Sequence, residues 1–175
     1  EYAVNCKGEL QVRMDYRPLK DGLQLIPKVG MRMRIPAEYS QVSWYGRGPH
    51  ENYPDRKSGY FIRQYSMPLD EFIFDYASPQ DNANRCDTRW FSLGNGSRDI
   101  EIHGLQELNF RAWPYGEEDL EGSAHPFDIP ARDFINVNID FKIHGVGGND
   151  GWGARTMDAY TIDPAQPYSF GFIIR

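Results

Sequence analysis

The feature that most constrains this chain is a hydrophobic period of two. Leu10, Val12, Met14 and Tyr16 alternate with Gln11, Arg13, Asp15 and Arg17. Val29, Met31, Met33 and Ile35 alternate with Gly30, Arg32 and Arg34. Ile135, Val137, Ile139, Phe141 and Ile143 alternate with Asn136, Asn138, Asp140, Lys142 and His144. Successive side chains of a β-strand point to opposite faces, so each run predicts a strand with one buried and one wet face. Shorter strands are expected at residues 2–4, 42–44, 61–65, 88–93, 99–103, 108–113, 157–161 and 168–174. Turn residues punctuate them at Lys20-Asp21-Gly22, Gly94-Asn95-Gly96-Ser97 and Asp163-Pro164. The only helical hint is a short stretch at residues 117–121. Many short strands without interleaved helices predict an all-β fold, a large antiparallel β-sandwich occupying residues 1–175 as one domain. The longest loops fall at 46–59, 76–85 and 145–155, and loops on a rigid scaffold are where function concentrates.

Composition narrows the function. The 175 residues suffice for a sizeable core without a disulfide or metal staple. Cys6 and Cys86 are therefore expected as free, buried thiols, with a bridge as the alternative. A net charge of −6 gives neither the basic footprint of a nucleic-acid binder nor a polybasic membrane patch. No apolar run approaches the roughly 18 residues of a membrane span. The chain starts at Glu1, without an initiator Met or signal peptide, and is strand-like within three residues. It reads as a piece cut from a longer protein, so its start gives no basis for judging targeting.

Several segments carry candidate chemistry. Gly145-Val146-Gly147-Gly148-Asn149-Asp150-Gly151-Trp152-Gly153 follows the clearest strand. A phosphate cradle would need G-x-G-x-x-G spacing and a following helix, and both are missing. A calcium loop would need its 12-residue ligand spacing, also missing. What remains is either a core Trp behind a tight turn or an exposed indole serving as a sugar platform. The polar stretch 47–57 holds His50 and Glu51, which would suit acid/base work, or forms a rigid loop of mutually satisfied charges. Residues Glu117, Glu118, Asp119 and Glu121 would supply paired carboxylates for glycoside hydrolysis, but a charge run more often marks a solvated face. His50, His103, His125 and His144 show no zinc spacing, and there is no G-x-S-x-G nucleophile elbow. His103 and His144 fall on the polar phase of strands and are expected to be exposed. Asn95-Gly96-Ser97 is a glycosylation sequon, meaningful only in a secreted eukaryotic protein.

Four ordered segments resemble the C-terminal, small-chain domain of bacterial β-galactosidases of glycoside hydrolase family 2. The first is Trp44-Tyr45-Gly46-Arg47-Gly48-Pro49-His50-Glu51-Asn52-Tyr53-Pro54-Asp55-Arg56-Lys57. Met67-Pro68-Leu69, Asn84-Arg85-Cys86-Asp87-Thr88-Arg89 and the run from Ile139 through Trp152 follow. The resemblance implies a galactose-mutarotase-like supersandwich, the last domain of a long enzyme that hydrolyses β-D-galactosides such as lactose. It implies that the catalytic glutamates lie in an absent upstream (β/α)8 barrel, leaving no catalytic residue here. It assigns Trp152 to substrate binding, with Gly147, Gly148, Asn149 and Asp150 supporting its loop. The family's D-D-S-W reads Asn149-Asp150-Gly151-Trp152 in this chain, which keeps the Trp but alters the loop's hydrogen-bonding groups. The stretch 47–57 is expected to remain scaffolding. The chain resembles a domain lacking its first strands, with an exposed edge or a swapped partner. Further expectations are no metal in this domain, Mg and Na at sites elsewhere in the parent, and a homo-oligomeric parent. The partners implied are the upstream domains and the β-galactoside, with no nucleic acid and no membrane. The protein would be soluble, in the bacterial cytoplasm or periplasm. The alternatives are a free-standing carbohydrate-binding module and an aldose mutarotase-like domain.

Overall fold

A computed structural model describes residues 1–20 and 22–175, so the centre of the expected Lys20-Asp21-Gly22 turn lies outside the described residues. The described residues form nine strands: β1 (Tyr2–Val4), β2 (Leu10–Tyr16), β3 (Lys28–Pro36), β4 (Gln41–Gly48), β5 (Phe61–Pro68), β6 (Arg85–Gly94), β7 (Asp99–Trp113), β8 (Phe134–Ile143) and β9 (Tyr168–Ile174). Two short helices, α1 (Leu69–Phe72) and α2 (Glu117–Gly122), and 3-10 turns at Pro126–Asp128 and Asp158–Tyr160 complete them. No helix is long and apolar enough to cross a membrane.

All strand pairs are antiparallel, and β7 is the spine. One edge of β7 takes β6. The other edge takes β9 along Ile102–Gly104 and β8 along Asn109–Trp113. The sheet therefore forks into two branches, β9-β2-β1 and β8-β3. The branches lie over one another. Phe141 of β8 stacks on Phe170 of β9 with centroids 5.8 Å apart and planes 7° from parallel. One continuous all-β sheet thus acquires the two-layer packing of a sandwich. The core is aromatic where β4, β6 and β7 meet. Phe91 and Phe110 stack at 4.1 Å, and the Trp44 and Phe72 rings meet edge to face with centroids 5.4 Å apart. Burying each such ring contributes on the order of 1.5–3 kcal/mol.

Several elements differ from expectation for identifiable reasons. The two runs 99–103 and 108–113 are one strand, because the intervening residues stay in the sheet through an irregular register. Gly104 makes this possible: a Cβ there would lie 2.2 Å from the Gln106 carbonyl oxygen. Residues 157–161 are not a strand. Tyr160 N–H donates to the Met157 carbonyl (2.9 Å) and Thr161 N–H to that of Asp158 (3.1 Å), which closes a 3-10 turn. β8 has no wet face over most of its length. Asn136, Asn138 and Asp140 are 1 %, 0 % and 1 % exposed. Glu117 of α2 accepts from Asn138 at 2.9 Å, and the Arg111 guanidinium of β7 lies 3.5 Å from the Asp140 carboxylate. His103 and His144 are half-buried rather than exposed. Both cysteines are free, but Cys6 is exposed and only Cys86 is buried.

Candidate functional site

The glycine-rich segment leaves the sheet where β8 ends. Its root is tied to the 3-10 turn that follows: Gly145 N–H donates to the Tyr160 carbonyl (2.8 Å), and Thr156 Oγ1 donates to the Gly145 carbonyl (3.0 Å). Gly147 has φ +71°, a left-handed conformation natural to glycine, and its N–H donates to Asp55 Oδ2 at 2.7 Å. At the tip, Asp150 Oδ1 accepts from the N–H groups of Trp152 (2.9 Å) and Ala154 (3.1 Å). These backbone donors favour the ionised form and hold the Asp150 carboxyl below the usual carboxylate range. Trp152 stands at this tip with 95 % of its surface exposed.

The structure thus brings Asp150 and Trp152 together in one turn. Gly147 is half-buried at the root, while Gly148 and Asn149 are exposed between root and tip. Of the two readings of Trp152, core residue or exposed ring, the fold selects the exposed ring. Large rings outside the core are informative when nothing in the fold requires them there.

The stretch 47–57 forms the ground beneath the loop. Asn52 Oδ1 accepts from Cys86 N–H (2.8 Å), and Asn52 N–H donates to the Asn84 carbonyl (2.8 Å). This clamps the stretch to the start of β6. Glu51 is buried and accepts from Arg56 (2.5 Å), from Ala83 N–H (2.7 Å) and from the Tyr76 hydroxyl. His50 is exposed, so the pair does not form an acid/base unit. Asp87 takes Arg47 Nε at 2.5 Å and Lys57 Nζ at 2.6 Å. Burial alone would raise the Asp87 carboxyl, but these two cations outweigh it and hold it below its ordinary value. Tyr53 donates to Asp81 at 2.5 Å, and burial followed by that carboxylate pushes the phenol upward. These charges are mutually satisfied.

The acidic run divides: Glu118 and Glu121 are exposed, as a solvated face requires, while Glu117 is half-buried and Asp119 buried. Glu117 pairs with Lys28, Glu118 with Arg34, and Asp119 with Arg132. The helix is fastened across the basic residues of β3, and its carboxylates do not flank a cleft. An open concavity of about 310 Å³ adjoins the loop root, with Lys57, Asp87, Glu107, Asn109 and Tyr160 among its walls. Among the described residues, no group of three or more His, Cys, Asp or Glu is placed to hold a metal ion. Sequence reasoning missed Asp55, whose link to Gly147 spans 92 positions along the chain.

Comparison with known proteins gives a consistent picture. A family model described as the β-galactosidase small chain matches residues 1–174. A β-galactosidase of Priestia megaterium is 34 % identical over 175 residues, covering 99 % of this chain and 17 % of the relative. One from Halalkalibacterium halodurans is 34 % identical over 178 residues, covering 99 % and 18 %. One from Vibrio cholerae is 36 % identical over 162 residues, covering 92 % and 15 %. The chain therefore spans less than one fifth of the length of these curated relatives.

Proposed function

Because the chain belongs to the β-galactosidase small-chain family, we propose that it is the domain of a larger β-galactosidase that completes the sugar pocket and supports assembly. The carboxylates that cleave the glycosidic bond belong to an upstream barrel outside these 175 residues. The observation that carries this reading is Trp152, 95 % exposed on a loop of small residues. A galactosyl ring presents a patch of C–H groups that packs on an aromatic face, and glycines let it approach without obstruction. Four of the five carboxylates that the sequence offered for chemistry, Glu51, Glu117, Glu118 and Asp119, are each held by a cation, which supports this division of labour. The Mg and Na associated with the family are assigned to other parts of the parent. The parent is proposed to be a soluble homo-oligomer acting on β-galactosides.

The test is Trp152→Ala in the parent enzyme with a chromogenic β-galactoside. By analogy with a nucleobase stacked on an aromatic side chain, which is worth about 1–3 kcal/mol, KM rises roughly 5- to 150-fold. Unchanged kinetics would remove the pocket role. A mutarotase would need a free acid and base facing one sugar, and Glu51 is committed to Arg56. A free-standing carbohydrate-binding module would use the same Trp152. The small share of the relatives that this chain spans favours the multidomain reading.

A further inference from the structure

We infer that Asp55 is a positioning residue for substrate binding: its carboxylate sets where the Trp152 ring stands. The inference rests on the reading of Trp152 as the sugar platform. Trp152 does not touch the body of the domain, so its location must be transmitted along the loop. The tip is internally stiff, because Asp150 ties the N–H groups of Trp152 and Ala154 to itself. Those bonds do not tie the tip to anything else. Gly148, Gly151 and Gly153 have open space where a Cβ would stand. Among the described residues, hydrogen bonds anchor the loop to the body at two places. At the root, Gly145 bonds to Tyr160 and Thr156. Beyond it, the Gly147 N–H donates to Asp55 Oδ2 at 2.7 Å. The second contact sets the direction in which the tip departs.

Sterics and charge converge on the same carboxylate. A Cβ on Gly145 would lie 2.7 Å from Asp55 Cγ and 2.8 Å from Oδ2, so the carboxylate occupies the space a side chain would need. Asp55 pairs with no cation among the described residues, and its second oxygen is buried without a hydrogen-bond partner. A carboxylate taken partly out of water with one N–H donor is held for that donor, and a charged acceptor makes a shorter, stronger bond than a neutral one. Asp55 in turn stands on firm ground. Arg56 N–H donates to the Tyr53 carbonyl (2.9 Å), Arg56 pairs with Glu51 (2.5 Å), and Lys57 pairs with Asp87 (2.6 Å). Two segments far apart in sequence, 47–57 and 145–153, therefore act as one device: the first positions the second.

The test is a double-mutant cycle in the parent enzyme, with a chromogenic β-galactoside as the probe. Asp55→Ala raises KM at least fivefold and leaves kcat within twofold. Asp55→Asn keeps a neutral acceptor and restores most of the loss, and it also serves if the alanine variant fails to fold. In a Trp152→Ala background, Asp55→Ala adds less than twofold, because the ring it positions is gone. Amide exchange at Gly147 accelerates at least tenfold in Asp55→Ala, while β8 exchange is unchanged. Should Trp152→Ala impair binding while Asp55→Ala does not, or should the Asp55 effect persist undiminished without the indole, the inference is overturned and the platform reading survives. If Trp152→Ala has no effect at all, the platform reading fails first.

Discussion

Asn52→Ala is expected to destabilise the domain far more than its single amide suggests. Asn52 is 0 % exposed. Its Oδ1 accepts from Cys86 N–H at 2.8 Å, and its Nδ2 donates to the His50 carbonyl at 3.0 Å. Alanine removes both partners. The Cys86 amide lies in the interior and loses its acceptor, and an orphaned buried donor costs about 1–3 kcal/mol. The void left by the amide adds about 1 kcal/mol. The expected loss is roughly 2–4 kcal/mol out of a typical 5–15 kcal/mol. For a chain of this size that corresponds to a fall in Tm of roughly 4–16 °C. Thermal unfolding followed by near-UV circular dichroism reads it directly. A fall of under about 2 °C would refute the argument that this asparagine clamps the stretch 47–57 to β6.

Other expectations follow from the same structure. Trp152→Ala should leave Tm unchanged within about 2 °C in differential scanning calorimetry, since an exposed side chain contributes little to stability; a large fall would mean the ring is part of the fold. Two carboxylates should give opposite pH dependences. For Asp119, the Arg132 and Gly116 N–H donors lower the carboxyl from 3.8 to about 2, so its stabilisation is complete above pH 4 and lost as pH falls toward 2. For Asp140, burial raises the carboxyl from 3.8 to about 6 despite Arg111, so stability falls as pH rises from about 4 to about 6. Denaturant titrations at stepped pH should show Asp119→Asn flattening the acid limb and Asp140→Asn flattening the limb above pH 4.

How much of this was legible in the sequence depends on which interactions are local. The alternating runs located β2, β3 and β8 to within a residue or so at each end, because period two is a property of the backbone itself. The same runs could not say whether a polar face would be covered. Asn138 looks solvated until Glu117 of α2 reaches across to it, a contact written 21 positions away. Residues 157–161 show how a brief alternation misleads: Asp158 and Tyr160 alternate with Met157, Ala159 and Thr161, yet carbonyls of Met157 and Asp158 close a turn. At the site, the glycine loop and its Trp were visible as a motif, but core and exposed positions for the indole stayed open. That choice depends on what packs over residue 152, which is tertiary. Asp55 was present in the polar stretch all along, among charges expected to satisfy one another. Only the folded chain separates it from Asp87 and Glu51, which have cationic partners.

The decisive measurement is a structure of the parent enzyme with a β-galactoside bound. The account predicts the Trp152 indole face within about 4.5 Å of pyranose carbons, with Asp55 still bonded to Gly147. An indole more than about 10 Å from the sugar, or buried against another subunit, would contradict it.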